Sequence, residues 1–159
     1  MAEQRLWAPW RLEYIKGPKS DECIFCVKPD AADDRASYIV TRGERCFVML
    51  NAYPYNNGHV MVAPFEHLAT IEDLDDDILL DLMHLTQRSL RAIGEAYSPD
   101  GFNLGVNQGA VAGAGVADHV HLHVVPRWGA DTNFMPVIGS TRVLPQSLDD
   151  SWETLSKLF

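Results

Sequence analysis

The segment spanning residues 118–128 constrains the fold more than any other part of the chain. Its sequence is Asp-His-Val-His-Leu-His-Val-Val-Pro-Arg-Trp, in which imidazole and apolar side chains alternate. Successive side chains of an extended strand point to opposite faces of a sheet, so we expect His119, His121 and His123 to share one face. The sequence therefore predicts a sheet with one apolar face and one face that carries a row of histidines.

Three histidines on one face favour a functional site. A single histidine on a strand is most often structural, whereas three at a spacing of two each need hydrogen-bond partners of their own. The spacing is compatible with a metal site, and equally with a catalytic site in which one imidazole acts as a nucleophile oriented by its neighbours.

Four other short apolar runs, separated by turn residues, also predict strands. With the histidine segment, the candidate strands are residues 37–40, 46–50, 58–63, 102–106 and 119–125. Residues 75–97 have the apolar periodicity of a helix, which the Ser-Pro-Asp-Gly sequence at 98–101 ends. Residues 151–159 predict a short helix. We therefore expect an α+β fold, with a mainly antiparallel five-stranded sheet against one long helix.

The composition is that of a single globular domain. The chain has 159 residues, of which 47% are hydrophobic and 22% charged, which is enough to bury one core. We divide it into an N-terminal docking segment (1–36), a core (37–128) and a C-terminal extension (129–159). Trp7 and Trp10 of the first segment carry too much apolar area for a free tail.

The charge and the apolar runs limit the possible partners. The formal net charge is −9, without the Lys and Arg excess typical of proteins that bind nucleic acid polymers. No apolar run approaches the roughly 20 residues of a membrane span, and the N-terminus has no apolar segment of the signal-peptide type. We expect a cytoplasmic protein that binds a small molecule, and neither a nucleic acid nor a membrane.

A glycine-rich segment at residues 107–115 leads into the histidine strand. Glycines allow backbone N–H groups to approach an anion closely. Beside three histidines, this loop predicts a phosphate cradle that faces a nucleophile.

The cysteines indicate a metal site. Cys23 and Cys26 have the two-residue spacing of half a zinc site, and without a secretion signal this spacing favours metal or redox chemistry over a disulfide. His67 and His119 are candidates for the other half. Cys46 lies in an apolar run, and we interpret it as a core residue.

The alternating histidine segment resembles the signature of the histidine-triad superfamily, which residues 119–125 match in full. The resemblance extends from about residue 37 to residue 128 and includes Asn51, Asn107 and the glycine loop. Within the superfamily, residues 51–59 and 126–129 are most similar to the bacterial diadenosine tetraphosphate phosphorylase branch.

The resemblance implies a role for each matched residue. His121 would be the nucleophile that forms a nucleotidyl-histidine intermediate, while His123 would contact the phosphate and assist the departing oxygen. Asn51 would bind the ribose hydroxyls. The implied nucleotide-binding set is Asn51, Asn107, Gly113, Ala114, Gly115 and His123. Many relatives carry a Gln-Ser or Gln-Thr pair before the histidines, and this chain does not, so backbone amides or another residue, with Arg127 and Arg142 as candidates, must hold the phosphate.

The resemblance also implies a metal and an assembly. In relatives with an N-terminal Cys-x-x-Cys, the residues matching Cys23, Cys26, His67 and His119 complete a Cys2His2 zinc site. Four protein ligands leave no open position, so this zinc would be structural. Family members pair through the long helix and an edge strand, so we expect a homodimer.

We therefore expect an enzyme that cleaves dinucleoside polyphosphates, such as diadenosine tetraphosphate, with phosphate or water as the acceptor. Three alternatives remain open: a nucleotide-binding regulatory protein with little turnover, a hydrolase of nucleoside phosphoramidates, and a sugar-1-phosphate uridylyltransferase. The short chain and the complete third histidine weigh against the last. His59 could face either way, and we interpret His84 as structural.

Overall fold

A computed structural model describes residues 22–129, 131 and 144–159 of the chain. Five antiparallel strands form one sheet in the order β1-β2-β3-β5-β4, which confirms the predicted α+β architecture. The strands are β1 (Ile39–Arg42), β2 (Cys46–Leu50), β3 (Val60–Pro64), β4 (Gly101–Val106) and β5 (Leu122–Arg127). The helices are α1 (Ile24–Asp30), α2 (Asp34–Ser37), α3 (Asp76–Tyr97) and α4 (Leu148–Leu155), with 3-10 turns at Ile71–Asp73 and Ala110–Ala112.

The long helix α3 agrees with the predicted residues 75–97. The Asp75 side chain caps it by accepting from the Ile78 backbone N–H, and two further aspartates in the first turn complement the helix dipole. The helix ends where Ser98 adopts a left-handed conformation. Its buried face includes Ile78, Leu85 and Ile93 and packs over the sheet.

Both faces of the sheet centre are covered, so β2 and β3 are buried along their whole length. On one face, side chains such as Val48, Val62 and Val124 pack with α3. On the other face, Met49 and Met61 pack with Phe25 of α1. This second face is the one on which the histidines lie, so α1 is the element that covers them.

The element bounds differ from the predicted ones where long-range contacts decide them. β5 begins at Leu122 instead of residue 119, because the Val120 N–H donates to the Leu68 carbonyl at 2.7 Å instead of to β3. α4 begins at Leu148, three residues earlier than predicted, because Ser147 caps it. The short helices α1 and α2 were not predicted.

Trp7, Trp10 and Arg142 lie outside the described residues. Among the residues that are described, no helix combines the length and the apolar character needed to cross a membrane.

Candidate active site and metal centre

The three histidines share one face of the sheet, as the alternation predicts. His119 and His121 are buried and His123 is half-buried, while Val120 and Val124 point into the core under α3. The rings of His121 and His123 meet edge to face, with their centroids 4.9 Å apart.

His121 has the hydrogen bond that a nucleophilic imidazole needs. Its Nδ1 lies 2.8 Å from the backbone oxygen of His119, and because a carbonyl only accepts, Nδ1 carries the proton and Nε2 keeps its lone pair. Burial lowers the pKa of His121, and the bond to the His119 carbonyl opposes this only in part. The ring is therefore neutral near pH 7, with a fixed tautomer.

His59 is a site residue that the sequence interpretation left undecided. It is 1% exposed, and its Nδ1 accepts from the Tyr55 N–H at 3.1 Å, so its proton lies on Nε2. That nitrogen is 2.9 Å from Nδ1 of His123, which must then accept. The proton of neutral His123 is thereby placed on Nε2, which makes His123 a donor.

A cavity of about 100 Å³ lies between α1 and the sheet, beside His121 and His123. Its walls are largely apolar, while Asn51 and Gly115 supply polar groups. An apolar pocket with a few placed polar groups is typical of sites that bind a small molecule. The apolar lining includes Ile24, Phe25, Met49, Met61 and Val116.

A second cavity, of about 260 Å³, adjoins His123 on its other side, and Tyr55 lines both cavities. Its lining is more polar and includes Asn107 and Arg127. The Arg127 guanidinium donates to both carboxylate oxygens of Asp131, at 2.5 and 3.1 Å, and to Asn103 at 2.7 Å. This pairing holds the pKa of Asp131 well below its usual range. Arg127 thus lines the second cavity, but its positive charge is already paired with the carboxylate of Asp131.

The structure separates the nucleotide-binding residues implied by the resemblance. Asn51 and Gly115 line the first cavity and Asn107 lines the second. Gly113 ends the 3-10 turn of the glycine loop at a φ of 88°, a conformation that favours glycine. Gly113 and Ala114 are not among the described residues that line these two cavities.

The residues predicted to bind a metal form one cluster. The ligand atoms of Cys23, Cys26, His67 and His119 all lie within 4.8 Å of one another. Nδ1 of His119 is 3.3 Å from Nδ1 of His67, and 3.4 and 3.6 Å from the two sulfurs. A tetrahedron with zinc bond lengths has N···N edges of about 3.3 Å and N···S edges of about 3.6 Å. The cluster fits such a metal.

The hydrogen bonds and protonation of the cluster also suit a metal. Nε2 of His119 lies 2.9 Å from the Pro64 carbonyl, which fixes the proton there and leaves Nδ1 for a metal. Burial lowers the pKa of His119 and so favours the neutral ring. Burial, together with the neighbouring Cys23, raises the pKa of the Cys26 thiol to about 11, a shift that a bound cation would reverse.

The remaining candidates are structural. Cys46 is fully buried in the core, and burial raises the pKa of its thiol to about 12, which makes it unreactive. His84 is exposed on α3.

Known proteins resemble this chain in sequence and fold. The HIT domain family matches residues 33–129, more than half of the chain. An AP-4-A phosphorylase from Mycobacterium tuberculosis is 41% identical over 162 residues, covering 96% of this chain and 83% of that protein. Adenosine 5'-monophosphoramidase hnt1 from Schizosaccharomyces pombe is 33% identical over 66% of this chain and 74% of its own. The crystal structure of a Zn-bound histidine triad family protein from Mycobacterium smegmatis has a TM-score of 0.68 and 27% identity, covering 86% of this chain and 92% of that one.

Proposed function

This chain belongs to the histidine-triad (HIT) family, and we propose that it is a nucleotidyl transferase or phosphoesterase that cleaves dinucleoside polyphosphates such as diadenosine tetraphosphate. The observation that carries the proposal is the bond from Nδ1 of His121 to a fixed carbonyl, which presents Nε2 beside an apolar cavity. The similarity to an AP-4-A phosphorylase supports this class of substrate.

The two cavities suit different parts of such a substrate. A purine base would pack in the apolar cavity against Phe25 and Met61, with Asn51 near the ribose. The α-phosphate would then lie at His121, with Gly115 beside it. The rest of the polyphosphate would pass His123 toward Asn107 in the second cavity.

In the first step, Nε2 of His121 attacks the α-phosphorus, and the bond to the bridging oxygen breaks. The departing oxygen leaves with the bonding electrons as a phosphate anion, and it accepts a hydrogen bond from the Nε2–H of His123. The imidazole of His121 becomes positively charged as the new P–N bond forms, and the His119 carbonyl stabilises that charge through Nδ1–H. In the second step, an oxygen of phosphate or water attacks the same phosphorus, and the P–N bond breaks with its electrons returning to Nε2 of His121, which becomes neutral again. Phosphate attacks as an anion, whereas attacking water releases its proton to the solvent.

We propose phosphate as the acceptor, as in the phosphorylase relative. Asn107 and Arg127 are side-chain donors that line the second cavity together with His123. With phosphate added, diadenosine tetraphosphate should yield ATP and ADP. Chromatography of the products tests this. ATP and AMP formed regardless of phosphate would mean that water is the acceptor.

A second candidate function is the hydrolysis of nucleoside phosphoramidates, which the similarity to the monophosphoramidase hnt1 favours. It uses the same nucleophile and the first cavity alone. A regulatory nucleotide-binding role would instead give binding without turnover. Measuring kcat/KM for adenosine 5'-phosphoramidate and for diadenosine tetraphosphate shows which substrate the enzyme prefers. No turnover of either substrate would favour the regulatory role.

We also propose that the metal at the Cys2His2 cluster is zinc and that its role is structural. The support is the tetrahedral spacing of the four donor atoms and the zinc in the M. smegmatis relative. Zinc with four protein ligands has no open position for substrate, so it would join α1 to the histidine segment.

The proton on His123 predicts the effect of changing His59. In His59→Asn the fixed donor to His123 is lost, and we expect kcat for diadenosine tetraphosphate to fall about tenfold to a hundredfold, because the Nε2–H of His123 is no longer fixed as a hydrogen-bond donor to the leaving oxygen. The p-nitrophenyl ester of AMP should be affected much less, since the charge of its leaving group is delocalised into the nitrophenyl ring and gains less from a hydrogen bond to His123. His84→Ala is the matched control. An equal loss on both substrates would mean that His59 does not act through His123.

We propose that the protein is a homodimer. β4 is an edge strand whose Leu104 is 48% exposed, and Leu80 and Met83 on α3 are also exposed large apolar residues. Burial of such residues against a second copy would be favourable. Light scattering should give twice the chain mass of 17.8 kDa, and Leu104→Lys should shift the protein toward the monomer. A wild-type mass equal to one chain would exclude the dimer.

A further inference from the structure

Helix α1 connects the metal cluster to the substrate cavity. Cys23 is its N-cap residue, and Cys26 lies in its first turn. Ile24, Phe25 and Lys28 of the same helix line the first cavity. One short helix therefore presents two metal ligands on one side and a wall of the cavity on the other.

The same helix contacts the nucleophile directly. Phe25 is 1% exposed, and its ring stacks on the His121 ring with the centroids 4.6 Å apart and an angle of 29° between the planes. His121 is also held by its hydrogen bond to the carbonyl of His119, which is itself in the cluster. Two of the contacts that hold His121 thus come from residues in or between the candidate metal ligands.

Little in the local sequence stabilises α1. It has seven residues, includes Pro29, has no acidic residue in its first turn, and receives no side-chain capping bond from Cys23 within the described residues. Helices this short are marginal unless tertiary contacts hold them.

The two halves of α1 are held differently. At the C-terminal half, Ser37 donates to the Lys28 carbonyl at 3.2 Å and Arg42 donates to the Pro29 carbonyl at 2.8 Å. The N-terminal half is held by the burial of Phe25 and by the two cysteines, which reach His67 and His119 at distances of 3.3 to 3.6 Å.

We propose that metal binding at Cys23, Cys26, His67 and His119 orders the N-terminal half of α1 as a wall of the nucleotide cavity, so that metal occupancy sets nucleotide affinity. Phe25, which lines the cavity and stacks on His121, is the positioning residue through which this order reaches the nucleotide. The inference relies on the proposed function for the class of ligand. Without metal, the apparent affinity falls in proportion to the ordered fraction of α1, and an ordered fraction of one tenth lowers it about tenfold.

The experiment measures AMP binding by calorimetry on zinc-loaded protein and on protein stripped with a chelator. Hydrogen exchange is followed by mass spectrometry on the same two samples. We expect AMP affinity to fall at least about tenfold on metal removal. Exchange should increase in residues 23–28, while β2 and β3 stay protected. Equal affinity and equal protection of α1 with and without metal would overturn the inference.

Phe25→Leu tests the inference even if the metal-free protein does not fold, because it keeps all four candidate ligands. We expect one metal per chain, an unchanged far-UV spectrum and AMP affinity lowered about fivefold through the lost aromatic contact. Val27→Ala is the control, because Val27 lies on the same helix but is 43% exposed. This variant should bind AMP as the wild type does.

The outcomes separate this inference from the proposed function. If zinc-loaded wild type binds no AMP, the proposed function fails, and the exchange data alone decide whether metal orders α1. If wild type binds AMP and Phe25→Leu binds it equally well, the proposed function stands and the role of Phe25 as positioning residue is wrong.

Discussion

His121→Ala is expected to abolish turnover of diadenosine tetraphosphate, with a loss of at least about 10⁴-fold, because the chain then lacks the group that attacks phosphorus. The cavity walls and Asn51 remain, so AMP affinity should stay within about tenfold of wild type, or roughly 1.4 kcal/mol. Single-turnover rates and calorimetry measure the two effects separately.

The matched control is the exposed His84→Ala, which should leave both quantities unchanged. Circular dichroism must show that His121→Ala is folded, since the His121 ring is buried against Phe25. Substantial activity in the folded variant would remove His121 from the mechanism.

The second large effect concerns stability. Cys23→Ser and His67→Ala should each lose the metal. They should also lose about 4 kcal/mol of unfolding free energy if free zinc is held at 1,000 times the dissociation constant of the wild type. For a chain of this size that corresponds to a Tm lower by about 10 °C. The expected wild-type content is one metal per chain, measured by elemental analysis. Fully folded wild-type protein that is free of metal would contradict the structural role.

Local sequence signals predicted the elements that local physics determines. The alternation of His119 to Val125 placed the histidines on one face, and the apolar periodicity of residues 75–97 predicted α3. β2 was predicted at its observed bounds. In each case the residues that decide the structure are neighbours in the chain.

The sequence could not place features that depend on contacts between distant segments. The role of His59 follows from the pairing of β3 with β5, where Met61 lies opposite His123, and no residue near His59 encodes that register. α1 was missed because Cys23 is a poor capping residue and Pro29 lies inside the helix. Its position depends on the packing of Phe25 against His119 and His121 and on the contacts of Cys23 and Cys26 with distant histidines.

The residues proposed to contact phosphate were also only partly predictable. The glycine loop signalled an anion site, and Gly115 does line the cavity beside His121. The ion pair between Arg127 and Asp131 balances the charge that was expected to hold phosphate. That pairing is not evident from the spacing of the two residues, because Asp131 lies beyond the end of β5.

The central claim is a covalent intermediate on His121, and one measurement tests it most directly. Wild-type protein is mixed with excess diadenosine tetraphosphate without phosphate, quenched under mildly alkaline conditions, and examined by mass spectrometry of the intact chain and of its peptides. We expect one added AMP moiety, located on His121 and absent from His121→Ala. Efficient turnover with no adduct at any quench time, or an adduct on another residue, would contradict the account.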